Sequence, residues 1–322
     1  MAMDKSHVNT PEAVKNHPVI DAVRRFFDSD IFYSYSKSPV AIIASIITFL
    51  IFVSAVGAPF IAPQNPFDMA SLDLMDSHIP PVWDQEGDQR FLLGTDDQGR
   101  DLLSAILYGS RISLLVGFSS VFFSLILGVS LGLISGYVGG TLDAVIMRIA
   151  EVQISFPAIL IALLVDGVLR TMIPGADTEH LAVAVLVFSI GISGWVQYAR
   201  TVRSSTMTEK NKEYVQAARV IGIRPIFIIL RHILPNVMGP VLVIGTIHLA
   251  VAIVTEATLS FLGVGVPATQ PSLGTLIRIG NDFLFSGEWW ITLFPAITLA
   301  VLILSVNLLG DWLRDALNPK LR

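Results

Sequence analysis

Cysteine is absent from all 322 residues, and only 15% of them carry charge. The first absence excludes a disulfide framework, a thiolate metal site and a cysteine nucleophile. The second, with 53% apolar residues and a mean hydropathy of +0.67, excludes an ordinary soluble domain. No basic tract points to nucleic acid, and no His/Asp/Glu group has metal-ligand spacing. The net charge of −5 says little about partners, because a membrane chain divides its charges between two compartments.

Apolar runs are plentiful instead. Stretches near residues 40–62, 111–136, 144–168, 181–199, 237–260 and 290–310 each approach the roughly 20 residues that a hydrocarbon core of about 30 Å demands. This predicts an all-α polytopic membrane protein with six transmembrane helices. The first run begins too late for a cleaved signal peptide and reads as a retained anchor. Of the 21 Lys and Arg, only Arg90, Arg100, Arg111, Arg170 and Arg278 fall outside if the N-terminus is inside, so both termini are expected in the cytoplasm. The chain then divides into a cytoplasmic N-terminal segment 1–39, partly helical, an anchor 40–62, an extracytoplasmic loop 63–110, a transmembrane core 111–310 with a cytoplasmic loop 200–236, and a tail 311–322.

Within that inner loop, Tyr214, Ala217, Ala218 and Ile221 fall at i, i+3, i+4 and i+7, which predicts a short amphipathic helix with a narrow apolar stripe. Lys212, Glu213, Gln216 and Arg219 surround the stripe. Asn211 is the expected N-cap, Gly222 the left-handed C-cap, and Pro225 the stop. Two small alanines would let another protein come close to the helix backbone. A helix lying on the membrane interface fits the local pattern as well.

On the outer side, Gly94-Thr95-Asp96-Asp97-Gln98-Gly99-Arg100-Asp101 has a P-loop outline but lacks its Lys and Ser/Thr. Two glycines for tight turns, with acidic groups and Arg100 pairing or capping the next helix, account for it better than direct substrate contact. Gly128, Gly132 and Gly136 lie four apart in the second run and form a flat strip for close helix packing, within this chain or against a second one. Pro157, Pro240 and Pro295 are expected kinks. Glu151 is expected to join Arg148 and Asp143 in an interfacial ion cluster. His248 and Glu256 share one face of the fifth run, and Asp166 sits in the third. Intramembrane ionisable groups are candidates for function, against which a satisfied structural hydrogen bond is weighed.

The string Gln216-Ala217-Ala218, then Gly222, then Leu234-Pro235 resembles the cytoplasmic coupling motif of binding-protein-dependent ABC importer permeases, with Gln216 where Glu is usual. Leu-Gly-Thr-Asp-x-x-Gly-Arg-Asp followed by Gly109-Ser110-Arg111-Ile112-Ser113-Leu114 is similar to the C-type permease of the dipeptide/oligopeptide branch. This resemblance covers almost the whole chain. It implies a type I ABC importer permease fold with a cytoplasmic coupling helix, made of Glu213, Tyr214, Gln216, Ala217, Ala218, Arg219, Ile221 and Gly222. It further implies a peptide permease of the bacterial inner membrane, forming half of the pathway with a homologous second permease. Two cytoplasmic ATPases would carry ATP and Mg²⁺, this chain holding no cofactor of its own and doing no hydrolysis, and an extracytoplasmic binding protein would deliver the ligand. The competing reading is a proton-coupled carrier with Glu151, Asp166, His248 or Glu256 as relay groups. No spacing of Ser and His marks an intramembrane hydrolase.

Overall fold

The computed structural model describes residues 30–68, 72–173 and 179–316. Among them the secondary structure is helical, apart from one isolated bridge between Thr95 and Asp101. In chain order the helices are α1 (Asp30–Ser36), α2 (Pro39–Val56), α3 (Ala58–Ile61), α4 (Leu102–Val138), α5 (Gly140–Ile154), α6 (Ala158–Met172), α7 (Glu179–Glu209), α8 (Glu213–Val220), α9 (Pro225–Ile228), α10 (Leu234–Phe261), α11 (Leu273–Phe283) and α12 (Trp289–Ala316). The expected helicity of the N-terminal segment is seen in α1, whereas residues 1–29 and the tail from 317 onward lie outside the described residues.

Among the described residues, five helical segments are long and apolar enough to cross a bilayer: α2, α4, Leu181–Glu209 of α7, the continuous stretch Pro225–Phe261, and α12. A backbone in hydrocarbon must satisfy its own hydrogen bonds, which is why these runs are helices. The predicted third span, 144–168, is not one helix. It is the pair α5 and α6, bent by 100° across Ser155-Phe156-Pro157. Pro157 cannot continue the ladder, and the residue before a proline is pushed out of the α region. The pair counts as one broken span, giving six, or as a re-entrant element.

The most extensive helix pairing is α4 against α7. The glycine strip makes it: a Cβ on Gly128 would stand 2.4 Å from the Trp195 carbonyl oxygen, on Gly132 2.6 Å from that of Ala199, and on Gly136 2.8 Å from that of Arg203. Packing within the chain is therefore what this strip does. Around it, α10, α11 and α12 pack on α4 through Leu102, Ala105, Ile106, Ile253, Leu276, Ile291 and Leu302.

Glu151, Arg148 and Asp143 do not form the expected cluster. Arg148 and Glu151 pair at 3.1 Å on an exposed face. Asp143 instead takes Arg203 of α7, with Nη2 to Oδ2 at 2.6 Å. The guanidinium of a neighbouring span offers a bidentate partner, which outweighs a single contact along its own helix.

Gly132→Leu places its side chain against a carbonyl that cannot yield, and about 3 kcal/mol of destabilisation is expected from such overpacking. Thermal unfolding of the purified chain checks this, with Gly239→Ala as the control, since nothing lies within 4 Å of the Cβ it would add.

Candidate functional site

Two polar constructions sit at opposite ends of the helical stretch Pro225–Phe261. The first is α8 and its surroundings. Lys212, not Asn211, occupies the N-cap, and no side chain caps that end. The Asn211 amide instead donates to the Met207 carbonyl at 3.0 Å. The C-terminus closes as expected: Gly222 has φ +84°, its N–H donates to the Arg219 carbonyl at 3.0 Å, and the Ile223 N–H donates to that of Ala218 at 3.1 Å. This Schellman pattern needs a left-handed residue, which glycine supplies without a Cβ penalty.

The face that α8 buries differs from the predicted stripe. Val215 and Ala218 point inward, into a cluster with Val129 and Leu133 of α4, Tyr198 and Val202 of α7, and Ile233, Val237 and Val241. Ala217 is exposed, as are Val220 at 88% and Ile221 at 77%. Ile226 and Phe227 of α9 are exposed beside them in sequence. So the two alanines have separate tasks: Ala218 lets α8 sit close to its own chain, and Ala217 belongs to an uncovered apolar face. Apolar side chains this bare on a polar connecting segment mark an interaction surface.

Tyr214 fixes α8 to both neighbouring spans. Its hydroxyl donates to the Glu209 carboxylate at the end of α7. It accepts from Asn236 Nδ2 at 3.0 Å, and its ring stacks on His232. Burial first, then the Glu209 carboxylate, pushes the phenol up to about 12, so it remains a donor throughout the neutral range. Lys212 pairs with Glu209 at 2.8 Å, Lys210 Nζ donates to the Gly136 carbonyl at 2.7 Å, and the Arg219 guanidinium lies 5.0 Å from the Tyr137 ring centre. Gln216 reaches back to the Lys210 carbonyl at 3.2 Å. Glu213, in the first turn, is exposed.

The second construction, at the other end of that stretch, is built on Gly94–Asp101. Gly94 and Gly99 take φ +84° and +73°, and a Cβ on either would strike backbone carbonyl oxygen, of Ile79 at 2.5 Å and of Asp73 at 2.2 Å. Arg100, 1% exposed, donates through Nε to Asp96 at 2.6 Å and through Nη1 to the Ala268 carbonyl at 2.9 Å. Asp101 caps α4 by accepting from the Ser104 N–H at 2.8 Å; burial pushes its carboxyl up from the usual range. The Thr95 hydroxyl donates to the Asp76 carbonyl at 2.6 Å, and the Thr95 carbonyl accepts from Trp290 Nε1 at 3.1 Å. Arg170 of α6 joins the same region: it pairs with buried Asp166 at 2.6 Å and donates to the Val264 and Gly265 carbonyls at 3.0 and 2.9 Å. Two arginines, one from the loop before α4 and one from α6, thus hold the backbone of residues 264–268, the loop that follows α10.

The predicted residues fall into two groups, one at each end, with Gly128, Gly132 and Gly136 on the packed face of α4 between them. Sequence reasoning missed Glu209 and Asn236, the partners of Tyr214, and missed Trp290 and the Arg170 contacts. A carboxylate five residues before a helix-borne Tyr was a usable signal for Glu209; nothing local announces the others. His248 accepts from or donates to Tyr198 at 3.0 Å, and Glu256 accepts from Ser260 at 2.8 Å, both buried in the core.

Residues 128–322 match the family model described as binding-protein-dependent transport system inner membrane component. The chain is similar to the dipeptide transport system permease protein DppC of Haemophilus influenzae, 38% identical over 296 residues, covering 91% of this chain and 95% of that one. It is likewise similar to the oligopeptide transport system permease protein OppC of Bacillus subtilis, 35% identical over 293 residues, covering 91% and 90%. Among solved structures, an inward-facing form of the MetNI methionine ABC transporter shares the fold, with a TM-score of 0.51 at 18% identity over 67% of this chain and 98% of that one.

Removing one member of the Asp96–Arg100 pair leaves the other charge buried alone, at a cost of about 3–5 kcal/mol. Asp96→Asn and Arg100→Gln should each lower the unfolding temperature markedly, and the double variant by less than the sum. A double-mutant cycle in thermal unfolding checks this.

Proposed function

The chain belongs to the binding-protein-dependent transport system inner membrane component family, a multi-pass permease of an ABC importer, and from that premise we propose that its cargo is a short peptide. Naming of relatives as dipeptide and oligopeptide permeases supports the cargo class. In this reading a homologous permease completes the pathway, a binding protein delivers ligand to the Gly94–Asp101 side, and two ATPases in the cytoplasm supply the work. ATP and Mg²⁺ belong to those partners, while Arg100 and Asp101 are already engaged inside their own knot. The basic residues favour N- and C-termini in the cytoplasm, which puts α8 on the ATPase side.

One observation carries the coupling role: Ala217, Val220 and Ile221 form a bare apolar face on a helix whose opposite face is locked into its own chain. ATP-driven closure of the partners presses on that face. Since Tyr214 links α8 to Glu209 and Asn236, the push reaches α7 and α10 together rather than bending a loop. A rigid displacement of α10 relative to α4 is a shear of packed helices, one of the usual ways to change access.

The proton-coupled alternative has no observation in its favour. Glu151 pairs with Arg148, Asp166 with Arg170, His248 with Tyr198 and Glu256 with Ser260, four separate local partnerships.

Ala217→Arg puts charge and bulk on the docking face without touching the core. Peptide uptake and substrate-stimulated ATP hydrolysis by the assembled importer should fall about tenfold or more, the loss expected at a central interface residue, with the chain still present in the membrane at the normal level. Ala218→Arg should instead reduce the amount of folded chain. Retention of coupled transport by Ala217→Arg removes the docking role.

A further inference from the structure

A cavity of about 410 Å³ opens at the outer end of α4, bounded by Phe67, Tyr108, Arg111, Leu115, Val183 and Gln270. Its walls come from four segments: α4, the start of α7, and the two loops that contribute Phe67 and Gln270. Phe67 packs edge-on against Tyr108 at 5.0 Å, giving one side a firm aromatic wall. The volume is within the range of roughly 300–1,000 Å³ typical of small-molecule sites.

Arg111 is the charged group in it. Arg90 is held by Asp76 and Asp88, Arg100 by Asp96, and Arg170 by Asp166. Arg111 is exposed, and no carboxylate of the described residues pairs with it. It stands ten residues beyond the N-cap of α4, on a face that continues through Leu115, Phe118, Phe122 and Ile126, all exposed. A lone guanidinium at the head of an otherwise apolar face is a costly placement unless it serves a ligand or a wet passage. Its planar fork suits a carboxylate, which it takes bidentately.

We propose that Arg111 binds the C-terminal carboxylate of the peptide as it enters the pathway, with the aromatic and aliphatic walls taking its apolar side chains. This rests on the peptide-importer reading above. A phospholipid headgroup has the same anionic chemistry, but two of the walls here are loop residues lying over the helix ends. Gln270 also lies two residues beyond Ala268, whose carbonyl Arg100 holds. One wall of the cavity therefore belongs to the loop at the end of α10, so movement of that helix alters the site, as a transported ligand's site requires and a lipid contact does not.

The test uses the whole importer, with its permease, ATPase and binding-protein partners, in vesicles. Uptake of a tripeptide and of its C-terminal amide is compared at concentrations that saturate the binding protein with either. Wild type should favour the free acid about tenfold or more, since losing a hydrogen bond to a charged group is worth that much. Arg111→Gln should bring the free acid down to the amide's rate, and Arg111→Lys should keep part of the preference. An unchanged preference in Arg111→Gln, or an equal loss for both peptides, overturns the assignment. So does a defect of Arg111→Gln that disappears in vesicles lacking anionic lipid, which would identify a headgroup contact. Failure of wild type to carry either peptide would instead overturn the peptide reading, and this assignment with it.

Discussion

Continuity of the helical stretch Pro225–Phe261 is the constraint from which the rest follows. Inside hydrocarbon a helix has no alternative partners for its backbone groups, which disfavours unwinding there. One end is attached to α8, which is keyed to its own chain through Val215 and Ala218 and turned outward through Ala217, Val220 and Ile221. The other end runs into residues 264–268, whose carbonyls are taken by Arg100 and Arg170. In the coupling proposed above, a load applied at α8 would arrive at a loop gripped by two guanidiniums. No separate wire between the two faces is needed.

The grip itself explains why charges are affordable there. Arg100 is almost fully buried, a placement made tolerable by Asp96 at its Nε and a carbonyl at its Nη1, although Nη2 has no hydrogen-bond partner among the described residues. Arg170 is satisfied in the same manner by Asp166 and two carbonyls. In both cases the acid belongs to the arginine's own segment and the carbonyls belong to the loop. Each arginine therefore stays neutralised whether or not the loop is in place, and only neutral hydrogen-bond acceptors are exchanged when it leaves. A clasp of this kind opens at far lower cost than one whose ion pair spans the gap.

The spans were legible because length and hydropathy report directly on the bilayer. The break at Pro157 was legible as a kink but not as a 100° turn, since periodicity carries no direction. For α8, spacing located the helix and Gly222 located its end, yet the inward stripe was misassigned. Eight residues offer two apolar flanks, Val215 with Ala218 and Ala217 with Val220 and Ile221, and nothing local says which one meets the core. Asp143 went wrong for a related reason. Arg148 is near it in sequence, while Arg203 is sixty residues away and reaches it only because the glycine strip draws α4 and α7 together. The turn-and-pairing role of Gly94–Asp101 could be read from residue types alone, because left-handed turns and a buried Arg–Asp pair leave few alternatives.

A stiff element is useful for transmission only if its junction with the lever does not give way, and that junction contains Pro235. Proline removes an N–H from the ladder, and the five residues Ile229–Ile233 just before it wind as a π-helical turn, a natural place for bending. The surrounding side chains repair it. Asn236 Nδ2 donates both to the His232 carbonyl at 2.7 Å and to the Tyr214 hydroxyl at 3.0 Å, and the Tyr214 ring lies on the His232 ring. The brace thus includes a residue of α8 itself, and Tyr214 in turn is held by Glu209 at the end of α7. The weakest point of the rod is stiffened by the very helix that would push it. In the proposed coupling, compliance would then lie less at this junction than at the loop 264–268, where neutral carbonyl contacts are the easiest to exchange.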